Sequence, residues 1–359
     1  MALTSTIAGA HTQTVTQDEY MQRCLQLSKL GNGYTAPNPM VGAVLVYEGR
    51  IIGEGYHQHY GEAHAEVNCI RSVKEVDSAL IQESTLYISL EPCAHFGKTP
   101  PCADLIIQNK IPKVVIGCRD PFPEVNGKGI EKLKAAGVET VVGIMEKECI
   151  ELNKRFFAFH TKHRPYIILK WAQSSNGRLA NADYSRVFIT NEFTNRLVHK
   201  WRSEESAILV GTNTALFDNP DLTNRNWEGR NPIRLVVDMD LRLPASLKLF
   251  NRQVKTIVFN SIKHEENDNL SYYQVTADVP LVHQIEHALY QAKIQSVLVE
   301  GGARLLQSFI DERIWDEARI ITNEEMKITE GIHAPELTEE ILVQKENYFS
   351  DTIRYYNHS

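Results

Sequence analysis

Three side chains with an affinity for soft metals, His64, Cys93 and Cys102, stand in one stretch of the chain. His64-Ala65-Glu66 opens a predicted helix, and Pro92-Cys93 and Pro101-Cys102 follow a predicted strand about thirty residues later. Two thiolates and a neutral imidazole balance the charge of zinc and leave a fourth tetrahedral position for water. Zinc lowers the pKa of such a water until hydroxide is available near neutral pH. Glu66 then suits the proton shuttle, taking a proton from the water and passing it to a departing amine. Residues two apart on a helix point to nearly opposite sides, so the spacing predicts His64 at the very first turn, where helix geometry does not fix its direction. A structural zinc knuckle is the competing reading, with His95 close enough in sequence to fill the fourth position. The preceding strand, the Glu66 spacing and the Pro92 flank favour the catalytic site.

A second constellation is Val299-Glu300-Gly301-Gly302-Ala303-Arg304, which ends a predicted strand and opens a helix. Glycines at such a junction let a phosphate approach the backbone N–H groups and the positive helix end. A Gly-Gly pair serving turn geometry alone is equally compatible. The stretch is not the six-residue glycine fingerprint of a Rossmann domain.

Around the first constellation, periodicity predicts a helix over 18–30, a hairpin over 41–46 and 51–56, a helix over 62–73, a strand over 85–90 and a helix over 103–109. A strand over 113–117, a helix over 129–136, a strand over 138–143 and one long helix over 146–163 follow. Strands alternating with helices predict an α/β layer sandwich, with largely parallel pairing after the hairpin. Pro165 ends the long helix. Beyond it come strands over 166–171, 207–211, 233–238, 255–259, 296–300 and 317–322, with helices over 191–203 and 303–310. The expected organisation is a flexible leader over 1–17, a zinc-site domain over 18–150, a linker helix over 151–164 and a second α/β domain over 165–359.

A chain of 359 residues, 43% hydrophobic and 23% charged, is ordinary for a globular protein of two domains. Its net charge of −7 offers no bulk attraction to nucleic acid. No apolar run approaches the roughly 18 residues of a membrane helix, and no basic start precedes an apolar stretch as in a secretory signal. The six cysteines are not a disulfide scaffold, which predicts a cytoplasmic protein with free thiols.

His-x-Glu followed by Pro-Cys-x-x-Cys is the signature of nucleobase zinc deaminases; here eight residues, 94–101, separate the cysteines. The strings Pro37-Asn38-Pro39-Met40-Val41-Gly42, Gly53-Glu54-Gly55-Tyr56-His57, His64-Ala65-Glu66-Val67 and Glu91-Pro92-Cys93-Ala94-His95-Phe96-Gly97-Lys98-Thr99-Pro100-Pro101-Cys102 closely resemble the bifunctional riboflavin-biosynthesis deaminase/reductase family. So do Lys170-Trp171-Ala172-Gln173-Ser174-Ser175-Asn176-Gly177, Trp201-Arg202-Ser203, Gly211-Thr212-Asn213-Thr214, Asp218-Asn219-Pro220-Asp221-Leu222-Thr223 and Val299-Glu300-Gly301-Gly302. The match runs from about residue 18 towards the C-terminus and weakens after residue 325.

The resemblance implies a cytidine-deaminase-like α/β/α sandwich followed by a dihydrofolate-reductase-like α/β domain. It implies one zinc on His64, Cys93 and Cys102, Glu66 as the catalytic shuttle, and a pocket lined by Asn38, His57, His95 and Lys98. In the second domain it implies that NADPH touches Ala172, Phe188, Thr190, Thr214, Asp218, Gly302, Ala303, Arg304 and Leu305. Substrate contacts would be Arg186, Arg202, Leu222, Arg225 and Glu300. Each has a plainer alternative. Asn38 suits a turn between two prolines, Lys98 a solvated loop, Arg202 and Arg225 a solvated surface pair, and Glu300 a helix N-terminal carboxylate.

Two positions depart from the family pattern. Asn176 stands where Asp is common, and Arg186 where a small polar contact is expected. The partner implied is a small pyrimidine ribosyl phosphate, not nucleic acid or membrane, and a homo-oligomer is compatible with the sequence. The alternative is a nucleoside or nucleic-acid deaminase with a non-catalytic C-terminal domain. The acidic charge and the wide cysteine spacing speak against it.

Overall fold

Two separate sheets form from the apolar runs. The computed structural model describes residues 16–96, 100–185 and 187–359. One compact unit ends at Asn153 and the next begins at Lys154, with the short Ala36–Asn38 stretch grouped with the second.

The first unit opens with α1 (Gln17–Ser28), whose start is fixed by a capping box. Thr16 Oγ1 accepts from Glu19 N at 3.3 Å, and the Glu19 carboxylate accepts from Thr16 N at 2.6 Å. Its sheet holds β1 (Gly42–Tyr47), β2 (Arg50–Tyr56), β3 (Thr85–Leu90), β4 (Lys113–Cys118) and β5 (Glu139–Val142) in the order β2-β1-β3-β4-β5. Pairing of β3, β4 and β5 is parallel, as expected after the hairpin, while β1 meets β3 antiparallel. The near-continuous apolar runs of β1, β3 and β4 suit strands covered on both faces. The covering helices are α1, α2 (Ala65–Arg71), α3 (Cys102–Gln108), α4 (Lys128–Ala135) and α5 (Glu146–Leu152).

The single helix expected over 146–163 is two. It breaks at Asn153, and α6 (Lys154–Thr161) belongs to the second unit. The Asn153 amide accepts from Met40 N at 2.8 Å and donates to Met40 O at 2.9 Å.

The second unit is a nine-stranded sheet in the order β11-β10-β9-β8-β12-β6-β13-β16-β15. These are β6 (Tyr166–Ser174), β8 (Ala207–Val210), β9 (Ile233–Val237), β10 (Thr256–Asn260), β11 (Leu270–Gln274), β12 (Ser296–Val299), β13 (Glu317–Asn323), β15 (Glu340–Tyr348) and β16 (Asp351–His358). All neighbours pair in parallel except β13 with β16 and β16 with β15. Beside the sheet lie α7 (Glu192–Glu204), α8 (Thr212–Asp218), α9 (Leu281–Gln291) and α10 (Ala303–Asp311), and a small ribbon pairs β7 (Arg178–Asn181) with β14 (Gly331–His333). Both faces of the central strands are packed: Ile167 and Leu169 belong to one core cluster, Tyr166 and Ile168 to another. Among the described residues no helix is long and apolar enough to cross a membrane.

Candidate active sites

His64 is the residue just before α2, with extended backbone at φ −73° and ψ 169°. That frees its ring to turn toward the sulfurs while Glu66 sits buried in the first turn. Cys93 lies beyond the end of β3 and Cys102 opens α3. His64 Nδ1 lies 3.7 Å from Cys93 Sγ and 3.4 Å from Cys102 Sγ, and all three donor atoms fall within 4.8 Å of one another. With zinc–sulfur bonds of about 2.3 Å and zinc–nitrogen bonds of about 2.0 Å, a tetrahedron sets such atoms about 3.5 Å apart. The donor set fits zinc.

Contact between the two thiols shifts them in opposite directions. The Cys102 hydrogen bond, and then the His64 ring, bring Cys93 down to about 4, while Cys102 is pushed up by its contact with the Cys93 thiolate and by burial. Burial first, and then Cys93, push Glu66 up to about 7, a value suited to exchanging a proton near neutral pH.

His95 is not in the donor cluster. Its ring meets Phe122 edge-on with centroids 6.1 Å apart, and its buried Nδ1 has no hydrogen-bond partner among the described residues. No side chain of the described residues fills a fourth position, so the four-ligand knuckle lacks support. His57 is buried with its ring 5.3 Å from that of His64. His57 Nδ1 donates to Ala63 O at 3.1 Å, so that nitrogen carries the proton. Asn38 groups with the second unit. Lys98 lies outside the described residues. Sequence reasoning missed Asp120, a second buried carboxyl pushed up to about 7 by burial and then by Glu91 and Cys93.

The second unit carries a cleft of about 1210 Å³. Every residue expected at the cofactor lines it: Ala172 from β6, Phe188 and Thr190 from the following loop, Thr214 and Asp218 from α8, and Gly302, Ala303, Arg304 and Leu305 at the start of α10. Arg202, Leu222, Arg225 and Glu300 line it too. Arg186 lies outside the described residues. Gly301 has φ +120°, a backbone region that L side chains rarely adopt, so this glycine is needed for the turn whatever binds there.

Both arginines line the cleft but are held differently. Arg202 Nε and Nη2 each bond Glu300 at 2.8 Å, and Arg202 Nη1 reaches Thr223 O at 3.4 Å. The guanidinium is buried and committed, not a solvated surface charge. Arg225 is half-exposed and pairs with Asp221 at 2.8 Å, where Lys248 also donates at 3.2 Å. Sequence reasoning missed Lys248, Lys170 and His199, all on the cleft. Lys170 Nζ is 3.8 Å from Glu300. A lone cation in the apolar run Ile167-Ile168-Leu169-Lys170-Trp171-Ala172 was its available signal. Burial opposes the charge of Glu300, but Arg202 and Lys170 outweigh it and hold the carboxyl at about 2. Burial, Arg202 and Arg225 bring His199 down to about 4, and its Nδ1 accepts from Arg225 N at 3.0 Å. The ring is therefore neutral, with its proton on Nε2. Asn176 stabilises its loop, donating to Ile328 O at 2.9 Å and accepting from Ile328 N at 3.2 Å.

The fold and the two sites define a two-domain α/β enzyme, a zinc-binding deaminase domain joined to a reductase domain. Residues 14–118 match the cytidine and deoxycytidylate deaminase zinc-binding region, and residues 165–323 match the RibD C-terminal domain. The chain is 42% identical over 302 residues to the riboflavin biosynthesis protein RibD of Aquifex aeolicus, covering 83% of this chain and 84% of the relative. With the Escherichia coli protein of the same name it shares 34% over 324 residues, 84% and 86% of the two. Its fold is similar to the crystal structure of a diaminohydroxyphosphoribosylaminopyrimidine deaminase/5-amino-6-(5-phosphoribosylamino)uracil reductase from Thermotoga maritima. That similarity has a TM-score of 0.87 at 35% identity, covering 95% of this chain and 98% of the other. This chain belongs to the RibD family: it is a bifunctional deaminase/reductase of riboflavin biosynthesis. The alternative of a nucleoside or nucleic-acid deaminase with an idle C-terminal domain falls away.

Proposed function

We propose that the first unit deaminates a diaminopyrimidinone carrying a ribosylamine phosphate, and that the second reduces the ribosyl group of the product to ribityl with NADPH. The observation that carries this reading is the convergence of His64 Nδ1 and the Cys93 and Cys102 sulfurs beside buried Glu66. Zinc bound there supplies the Lewis acidity that makes a water nucleophilic near neutral pH. Glu66 takes the proton of that water on a carboxylate oxygen and delivers it to the nitrogen that leaves as ammonia. His57 and His95 line the ring pocket, and His95 Nδ1, without a partner among the described residues, is available to a polar atom of the pyrimidine. In this reading Lys98 supplies a cation for the substrate phosphate.

In the second unit NADPH supplies the hydride, and the protein supplies orientation. The start of α10 offers N–H groups to the pyrophosphate. Glu300, fixed by Arg202, holds the sugar hydroxyls, and exposed Arg225 meets the phosphate. Incubation with the pyrimidine substrate, with and without NADPH, followed by mass analysis tests the scheme. Expected is exchange of an amino group for oxygen in both reactions, and a further gain of two hydrogens only with NADPH. A product mass that never shows the amino-to-oxygen exchange contradicts it.

A further inference from the structure

Glu91 stands directly before Pro92-Cys93 and is only 4% exposed. Backbone N–H groups meet its carboxylate. Asp120 N at 3.3 Å and Gly127 N at 3.0 Å donate to Oε2; Gly129 N at 3.0 Å and Ile130 N at 3.2 Å donate to Oε1. Its own N–H donates to Cys118 O at 3.0 Å, at the end of β4. Both the main chain and the side chain of residue 91 are therefore fixed.

The next residue is held by contact. A Cβ on Gly129 would lie 1.9 Å from Pro92 O, so only glycine lets the first turn of α4 come this close. Cys93 follows. Its carbonyl accepts from Ala103 N at 3.1 Å and its sulfur from Cys102 N at 3.3 Å, both from α3.

We infer that Glu91 and Gly129 are positioning residues for the metal ligand Cys93, acting as one clamp from α4 while α3 holds the other side. The inference rests on the reading that His64, Cys93 and Cys102 hold zinc. Metal–ligand distances in a genuine site fall within about 0.2 Å of their standard values, and removing an outer group that orients a ligand typically costs 10–100-fold in metal affinity. Gln at position 91 keeps the length of the side chain but turns an NH₂ toward N–H groups that now find an oxygen. The strain is delivered two peptide bonds away from Cys93.

The test uses the full-length zinc-loaded protein and Glu91→Gln. The expected result is release of zinc to a chromogenic chelator at least about tenfold faster than from the unaltered chain. The cobalt-substituted protein should also show a shifted thiolate-to-metal absorption band. Gly129→Ala should move both readouts in the same direction, and reduction by the second unit should not change. Leu133→Ala, which opens a cavity at a buried position of the same helix and removes none of the hydrogen bonds to Glu91, controls for general loss of stability. Equal zinc release from Leu133→Ala and Glu91→Gln would overturn the inference, as would a Glu91→Gln chain that does not fold. If the unaltered chain holds zinc, and Glu91→Gln holds it as long with the same cobalt spectrum, the clamp alone is wrong. An unaltered chain that holds no metal sinks the zinc reading itself.

Discussion

The two sites are built on opposite plans. In the deaminase unit, three donor atoms from two short motifs meet within 4.8 Å, and a helix start and two loop ends aim them. In the reductase unit, a cleft of about 1210 Å³ collects side chains from Lys170 to Ile332. Its polar centre is an ion-paired cluster of Lys170, Arg202 and Glu300. A metal demands few ligands at fixed distances, so the chemistry is compressed into local sequence. An organic cofactor and a sugar phosphate need a broad surface, and the residues that form it are scattered along the chain.

Glu66→Gln breaks the comparison most severely. It removes the shuttle but no metal donor, and deamination should fall by roughly 10³-fold while reduction of chemically deaminated substrate continues at its normal rate. Mass analysis of both products separates the two. Chelation of the metal should give the same split, reversed by zinc. Surviving deamination in Glu66→Gln would remove that residue from the mechanism.

Glu300→Gln is the corresponding lesion in the other unit. It leaves the buried Arg202 guanidinium without its carboxylate, which costs about 3–5 kcal/mol when one partner of a buried pair is removed. Reduction should collapse and the second unit should melt earlier, with deamination spared. Equal loss of both activities would contradict the separation of the sites.

The same carboxylate gives a pH signature. Glu300 is held at about 2 against an ordinary 4.5. A folded-state value below the unfolded one stabilises above pH 4.5, and that stabilisation is lost as the pH falls from 4.5 through 2. The full loss is roughly 3 kcal/mol. Denaturant titrations across this window should show the stability difference between the unaltered chain and Glu300→Gln shrinking as pH falls. A constant difference would contradict the pairing.

The smallest effect sharpens a point of detail. Asn176→Asp replaces the donor to Ile328 O with a carboxylate oxygen, and should lower the stability of the reductase unit by about 1 kcal/mol. Thermal melts followed by a probe in that unit measure it, and a stabilised variant would show that the amide orientation is wrong.

These contrasts also explain what could be read from the sequence. The strand over 85–90 and the placement of His64 at the start of a helix followed from periodicity and from the angular separation of residues 64 and 66, although His64 is the residue just before the first turn and not within it. The break at Asn153 did not, because the partner its side chain bonds there, Met40, is far away in sequence. Short α8 and the two last strands carried too few periodic residues to stand out. Arg202 and Glu300 were each read as ligand contacts, and nothing local reveals that they bind one another across 98 residues. Glu91 sat inside a recognised motif, yet its four N–H partners lie 29 to 39 residues further on. Local spacing identifies ligands, whereas the groups that hold them are specified by tertiary structure.

X-ray absorption at the zinc edge of the loaded full-length chain tests the account at its centre. Two sulfurs at about 2.3 Å, a single imidazole and one further light atom at about 2.0 Å are predicted. A second imidazole in that shell, as would arise if His95 closed the remaining position, would contradict an open metal corner beside Glu66.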